Sequence, residues 1–205
     1  MEERKMDSAF VNLKPGTLLA PVPAVMVSCA REGEKPNIIT LAWVGTICSE
    51  PPMCSISVRK ERYSHALIKE SGEFIINLCG QKNLKATDFC GVKSGRDTDK
   101  FASCNLTPVS IPGFTAPAIG ECPLYLGCKV ESIQELGSHD LFLGKIVSMG
   151  VNKELMDATG KIDFSKADLI AYNHGAYYAL GEALGFFGYS VAAPDVLSRR
   201  MKDLK

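Results

Sequence analysis

The sequence has no surplus of charge: Lys plus Arg number 23 and Asp plus Glu number 23 over 205 residues. That balance excludes a global attraction to nucleic acid or to an anionic membrane, so any anion site has to be local. A bilayer-spanning run is also missing. The apolar stretch TLLAPVPAVMVSCA (17–30) is interrupted by Pro21 and Pro23 and follows a charged and polar start of mixed sign. It fits neither a spanning segment nor a secretory signal, and reads instead as a first core strand entered through a Pro-rich lead. Histidine is scarce, and His65, His139 and His174 lie too far apart for local metal-ligand spacing. No GxGxxG follows a strand, and GxxxxGK[ST], HExxH and GxSxG are absent, which removes the familiar nucleotide, phosphate, zinc and hydrolase signatures. None of the eight cysteines forms a CxxC pair, the nearest being Cys48/Cys54 and Cys122/Cys128. Most sit inside apolar runs, where a thiol behaves as a small buried hydrophobe, so reduced structural thiols and a reducing, cytoplasmic compartment are expected.

What is present is an ordinary globular composition, 46% hydrophobic and 22% charged, with enough chain for a sizeable core. We expect one domain over 1–205 with a helical tail from about 194. The pattern predicts strands at 24–30, 37–44, 53–58 and 73–79. It also predicts a helix at 64–71 closed by Gly72, a second helix at 81–92, and two long strands around the turn GS at 137–138. DLIAYNHGAYYALGE (168–182) reads as a last strand with an irregularity at Gly175. Strands that are not separated by regular helices argue against a doubly wound parallel sheet. Mainly antiparallel β structure with a few helices, closed into a barrel that leaves no bare edges, is the expected fold.

Three features carry candidate chemistry. SVRKERYSHALIKESG (57–72) crowds Arg59, Lys60 and Arg62 against a helix start, where the macrodipole already disfavours cations. Unpaired helix N–H groups, the Ser64 hydroxyl and these cations suit a phosphate; the alternative is a solvated loop with Ser64 as an N-cap. KSGRDTDKF (93–101) gathers Lys93, Ser94, Arg96 and Lys100, with Gly95 allowing close backbone approach; its alternative is a surface loop. TLAWVGT (40–46) alternates small and hydroxyl residues with the only tryptophan, Trp43, as a strip for a flat heteroaromatic ring would require, or as core packing would.

In this order, PNIITLAWVGTICSEPPMCSISVRKERYSHALIKESGEFIINL, CGVKSGRDTDKF, HDLFLGKIV and YALGEALGFFGYSV resemble the flavin reductase-like, FMN-binding split-barrel family. The resemblance spans roughly residues 20 to 191. It implies a six-stranded antiparallel FMN-binding split barrel, a homodimer, and one FMN per subunit, with FAD possible. By carry-over, Thr40, Ala42, Trp43 and Thr46 would line the flavin ring. Arg59, Lys60, Ser64, Tyr63 and His65 would hold the ribityl phosphate, and Ser94, Arg96 and Lys100 would reach the cofactor or the nicotinamide. His139 and Arg96 would position the donor or acceptor. Cys48, where the family pattern often has serine, departs from it. The implied activity is electron transfer from transiently bound NAD(P)H through the flavin to free flavin, a ferric chelate or a redox protein. The alternatives are an electron-transfer flavoprotein without NAD(P)H activity, and a barrel that binds no flavin. Neither nucleic acid nor membrane is an expected partner. The tail cations Arg199, Arg200, Lys202 and Lys205 could meet an acidic redox protein or line a solvated helix face.

Overall fold

A computed structural model describes residues 9–204; the outer limits of the expected domain, 1–8 and 205, lie outside the described residues. In chain order the elements begin with strands β1 (Val22–Pro23), β2 (Val25–Cys29), β3 (Asn37–Leu41), β4 (Val44–Ser49) and β5 (Pro52–Arg59). Helix α1 (Tyr63–Ser71), strand β6 (Glu73–Leu78) and helices α2 (Leu84–Val92) and α3 (Lys100–Ser103) follow. The remainder is β7 (Pro108–Val109), β8 (Ala118–Ile119), β9 (Leu124–Glu135), β10 (His139–Val151), β11 (Ile170–Asn173), β12 (Ala176–Ala179) and α4 (Pro194–Lys202).

Seven strands form one antiparallel ladder in the order β3-β2-β6-β9-β10-β5-β4. Its two ends, β3 and β4, are neighbours in sequence, separated only by Ala42 and Trp43. Across that break the ladder continues, because Ser57 N donates to Trp43 O at 3.0 Å. The segment 37–49 therefore pairs with β2 through its first half and with β5 through its second. The sheet closes as a six-stranded split barrel. The single strand expected over 37–44 is thus corrected: the chain changes partner at Ala42–Trp43, and the second half runs on to Ser49.

Strand β2 shows why the core divides. All five of its residues are buried, which suits the nearly continuous apolar run AVMVSCA. Val25, Val27 and Cys29 point into the barrel with Ile56, Val58, Phe74 and Phe142. Ala24 and Met26 point outward into a second layer with Ile38, Cys90, Phe101 and Ile170. Two-sided burial removes the polar alternation of an exposed sheet. Of the two long strands, β10 alternates as expected, whereas β9 is more buried in its first half and more exposed in its second without strict alternation. Gly144 on β10 is required by close approach, since an added Cβ would stand 2.6 Å from the Phe74 ring. All eight cysteines are free thiols, six of them buried.

Two further expectations change. Residues 168–182 form a hairpin, β11–β12, and not one strand. His174 (φ 44°) and Gly175 (φ 92°) both take positive φ, as a tight two-residue hairpin turn demands. This hairpin pairs with β1 in a separate three-stranded sheet beside the barrel. Helix α1 starts at Tyr63, with extended Arg62 as its cap residue and no side-chain cap, so Ser64 lies inside the first turn. Its other end is as expected: Gly72 adopts the left-handed conformation (φ 67°) and returns its N–H to Ile68 O.

Candidate functional site

The first turn of α1 contains no acidic residue and no side-chain cap, so its free N–H groups and positive dipole end are uncompensated by the chain. Ser64 is buried, and its Oγ accepts from Asn37 Nδ2 at 2.8 Å. Asn37 opens β3; its side chain is buried, and its Oδ1 has no hydrogen-bond partner. Against that amide lies Gly95, where an added Cβ would come within 2.1 Å of Oδ1. The segment 93–96 is thereby brought onto the start of α1, although about thirty residues separate the two in sequence.

Between them is a cavity of about 250 Å³ lined by Arg62, Tyr63, Ser64, Lys93, Ser94 and Arg96, with Asn37 and Lys100 among its other walls. Arg96 is held there by donation from its guanidinium to Glu61 O at 3.3 Å and by its approach to the Tyr63 ring, 5.6 Å from the centroid. Lys100 is buried and donates to Ile38 O at 2.6 Å and Cys90 O at 2.8 Å. Burial pulls its amine below the usual lysine range. The walls carry four cations (Arg62, Lys93, Arg96, Lys100) and one carboxylate, Glu61, in a chain with no net charge.

The other expected site residues are placed elsewhere. Arg59 pairs with Glu61 at 3.1 Å, and Lys60 with Glu135 at 3.1 Å and Asp140 at 3.3 Å; neither lines the cavity. These acids hold the Lys60 amine above its ordinary range, Glu135 most strongly. His65 is buried, with Nε2 2.7 Å from Asp140 Oδ2 and its ring edge-on to Phe142 at 5.3 Å. Burial pushes the Asp140 carboxyl up, but the His65 and Lys60 contacts outweigh it and hold it low. The Thr40 hydroxyl donates to Thr87 O of α2, so its side chain faces that helix. Ala42 is half-buried where the barrel changes partner, Thr46 is exposed on β4, and Cys48 is half-buried beyond the β4 irregularity.

Trp43 is 45% exposed, which removes the core-packing alternative. Its ring lies 4.8 Å from that of His139, which stands across from Arg59 in the β5–β10 register. Partial burial, then the Arg59 charge, lowers the His139 pKa, so the imidazole is neutral near pH 7 and available as donor or acceptor. Among the described residues no cluster of metal-ligating side chains occurs, and no helix is long and apolar enough to cross a membrane. Of the tail cations, Arg199, Arg200 and Lys202 lie on α4, with Arg200 stacked over Phe186 at 4.0 Å; Lys205 is outside the described residues. Sequence reasoning missed Asn37 and Asp140. Asn37 is the asparagine of the PN pair that opens β3; Asp140 is one of many acids and carries no local signal.

The Flavin reductase like domain model matches residues 18–181. The flavoredoxin of Desulfovibrio vulgaris (Miyazaki F) is similar in structure, with TM-score 0.80 and 34% identity, covering 86% of this chain and 96% of that one. The flavoredoxin of Methanosarcina acetivorans gives TM-score 0.81 and 28% identity, covering 90% and 100%. An uncharacterised protein of Escherichia coli, YddH, is 30% identical over 162 residues, 77% of this chain and 84% of its own. With the family model matched across most of its length and the split barrel closed as described, the chain belongs to the flavin reductase-like family.

Proposed function

We propose that this protein binds FMN and works as an NAD(P)H-dependent flavin oxidoreductase. The observation that carries the reading is the convergence of residues 61–64 and 93–96 on one cation-rich cavity at an uncapped helix start. The residues fit a phosphate ester. Arg62 and Arg96 supply charged donors, the free N–H groups of α1 add dipole attraction, and the hydroxyls of Ser64 and Ser94 complete a polar wall. The unpartnered Asn37 Oδ1 suits a hydroxyl donor, as a ribityl chain carries. The cavity is small for a whole nucleotide, so the ring would extend along 40–46 toward Trp43 and His139.

When bound, the flavin would supply the hydride-accepting redox chemistry. The chain's own residues do the rest. Arg62 and Arg96 neutralise the phosphate, and Lys100 fixes β3 against α2. Trp43 offers an aromatic face, and neutral His139 presents a ring nitrogen beside it.

A homodimer is part of this reading. Ile47, Val147 and Met149 leave large apolar side chains exposed on barrel strands, which a second copy would cover. Eight free thiols suit a reducing, cytoplasmic setting.

The test is the visible spectrum of the purified protein, followed by anaerobic NADH or NADPH. A yellow protein that bleaches supports the reading; a colourless protein that takes up no added FMN overturns it. Similarity to two flavoredoxins favours one second reading, an electron-transfer flavoprotein without NAD(P)H activity. A yellow protein inert to both nucleotides but reduced by a ferredoxin would select it.

A further inference from the structure

Lys93, Arg96 and Lys100, three of the cations that wall the cavity at α1, all lie on the segment between Cys90 and Cys104. The two cysteines frame that segment in space as well as in sequence. Cys90 is buried in the last turn of α2 and lines the cavity. Cys104 is half-buried at the C-terminal end of α3 and packs against the apolar cluster that contains Cys90. Their thiols hydrogen-bond to each other. Lys100 ties the pair to the cavity wall: its Nζ donates to Cys90 O at 2.8 Å, and its own carbonyl accepts from Cys104 N at 3.1 Å. Exposed Ser103 and Asn105 flank Cys104, so it is the member of the pair nearer solvent. Burial pushes the Cys90 thiol up to about 12 and raises that of Cys104 as well, while the Lys100 charge pulls both down. Thiols held largely protonated react slowly, so this pair stays reduced until an oxidant persists.

We propose that Cys90 and Cys104 form a redox modification site, a dithiol that a hydroperoxide closes to an intrachain disulfide, and that closure weakens anion binding in the adjoining cavity. In the first step the Cys104 sulfur, as thiolate, attacks one peroxide oxygen. The O–O bond breaks, the leaving hydroxide takes up the thiol's proton as water, and Cys104 becomes a sulfenic acid. Cys90 then attacks that sulfur, the S–O bond breaks, and a second water leaves with the Cys90 proton. Two electrons pass from the thiols to the peroxide, and an external dithiol reverses the change. The sulfurs already touch, so closure has only to shorten an existing contact. It draws together the two ends of the segment that carries Lys93, Arg96 and Lys100, and it pulls on the Lys100 bond to Cys90 O that fixes the cavity wall. The effect on FMN rests on the flavin reading; the dithiol itself does not.

The test treats the full-length protein with excess hydrogen peroxide, maps its thiols by mass spectrometry, and titrates FMN into the flavin-free protein before and after. A peptide pair joining Cys90 to Cys104, lighter by two hydrogens, is expected. The other hydrogen-bonded pair, Cys79 and Cys122, is buried on both sides and is expected to stay reduced. FMN should bind about tenfold more weakly after closure, and dithiothreitol should restore it. Cys104→Ala, which leaves the cavity lining intact, should form no such peptide pair and should bind FMN equally with and without peroxide. Oxidation that spares Cys90 and Cys104, stops at sulfinic acid, or joins two chains would overturn the proposal. Unchanged FMN affinity in the closed protein, or a peroxide effect that persists in Cys104→Ala, would overturn the coupling to the cavity. Protein that closes the bond but takes up no FMN in either state keeps the dithiol and removes the flavin reading. Protein that binds FMN and never closes the bond does the reverse.

Discussion

The cavity at the start of α1 and a second one beside the β1-β11-β12 sheet, lined by Trp43, Tyr172 and His174 among others, flank β3 and the break that follows it, and they differ in one decisive respect. One is walled by four cations against a single carboxylate, the other by no charged side chain at all. Both are set by the same stretch, with Asn37 at one end facing α1 and Trp43 at the other facing the outer hairpin. One short segment, 37–43, thus opens with a buried amide beside a cation-rich cavity and reaches an exposed tryptophan beside an uncharged one. The difference also shows how a chain of zero net charge can present a local cationic site: its cations are sorted by position. Arg59 and Lys60 are neutralised by Glu61, Glu135 and Asp140, whereas Arg62 and Arg96 are turned to the cavity.

The sharpest way to break the comparison is to reverse the charge of the first cavity. Arg62→Glu with Arg96→Glu should weaken FMN by about 100-fold or more, each lost charged donor being worth about 1.5–3 kcal/mol. Reversing Arg59 and Lys60 should cost far less, because they face carboxylates. Fluorescence titration of FMN into flavin-free protein reads both, and similar losses in the two double variants would erase the distinction. Gly95→Ala comes next. Its Cβ would displace the Asn37 amide, costing about 1–3 kcal/mol of stability and weakening FMN roughly tenfold as the Asn37–Ser64 bond is lost. Thermal melts with and without FMN separate the two effects.

Lys100→Met should have a mixed outcome. It removes two hydrogen bonds from a charged donor but also relieves burial of the charge, so Tm should fall by only a few degrees, about 2–4 °C per kcal/mol at this size. The lowered folded pKa of Lys100 means the unfolded chain binds the proton more tightly. Its contribution is therefore fully present above the unfolded pKa of about 10.4 and is lost as pH falls through the folded value. The stability of the natural protein relative to Lys100→Met should accordingly rise as pH is raised toward that range. The smallest effect concerns His139. Its lowered pKa makes the contribution complete above pH about 6.5 and lost on further acidification. Arg59→Ala should move its titration midpoint upward, toward 6.5, in a proton NMR titration, since the Arg59 charge depresses it. An unmoved midpoint would show that burial alone sets it.

Much of the barrel was legible in the chain because strand burial leaves a pattern. The run AVMVSCA announced a core strand, and the mixing of Lys, Glu and Ser with apolar residues on either side of the GS turn announced two long half-exposed strands. Gly72 marked a helix end because only the left-handed conformation closes α1 there. The partner change at Ala42–Trp43 left no such mark, since both halves of 37–49 are extended and differ only in which strand they pair with. The 170–179 hairpin was read as one strand because its turn uses His174, where asparagine or aspartate would have signalled it.

In the candidate site, each polar island was visible, but each taken alone was more readily readable as a loop. Thr40 looked like a ring contact because sequence shows residue type and strand face, not that α2 covers that face.

Local composition and periodicity were enough to determine that the chain forms mainly strands and which segments hold chemistry-bearing side chains, because those properties depend on neighbours within a few residues. Only the tertiary structure decided that 61–64 and 93–96 share one cavity, that Arg59 and Lys60 turn to acids while Arg62 does not, and that Trp43 stays exposed beside His139. Those outcomes depend on closure of the barrel, which joins residues distant along the chain, and no local preference encodes the distance between them.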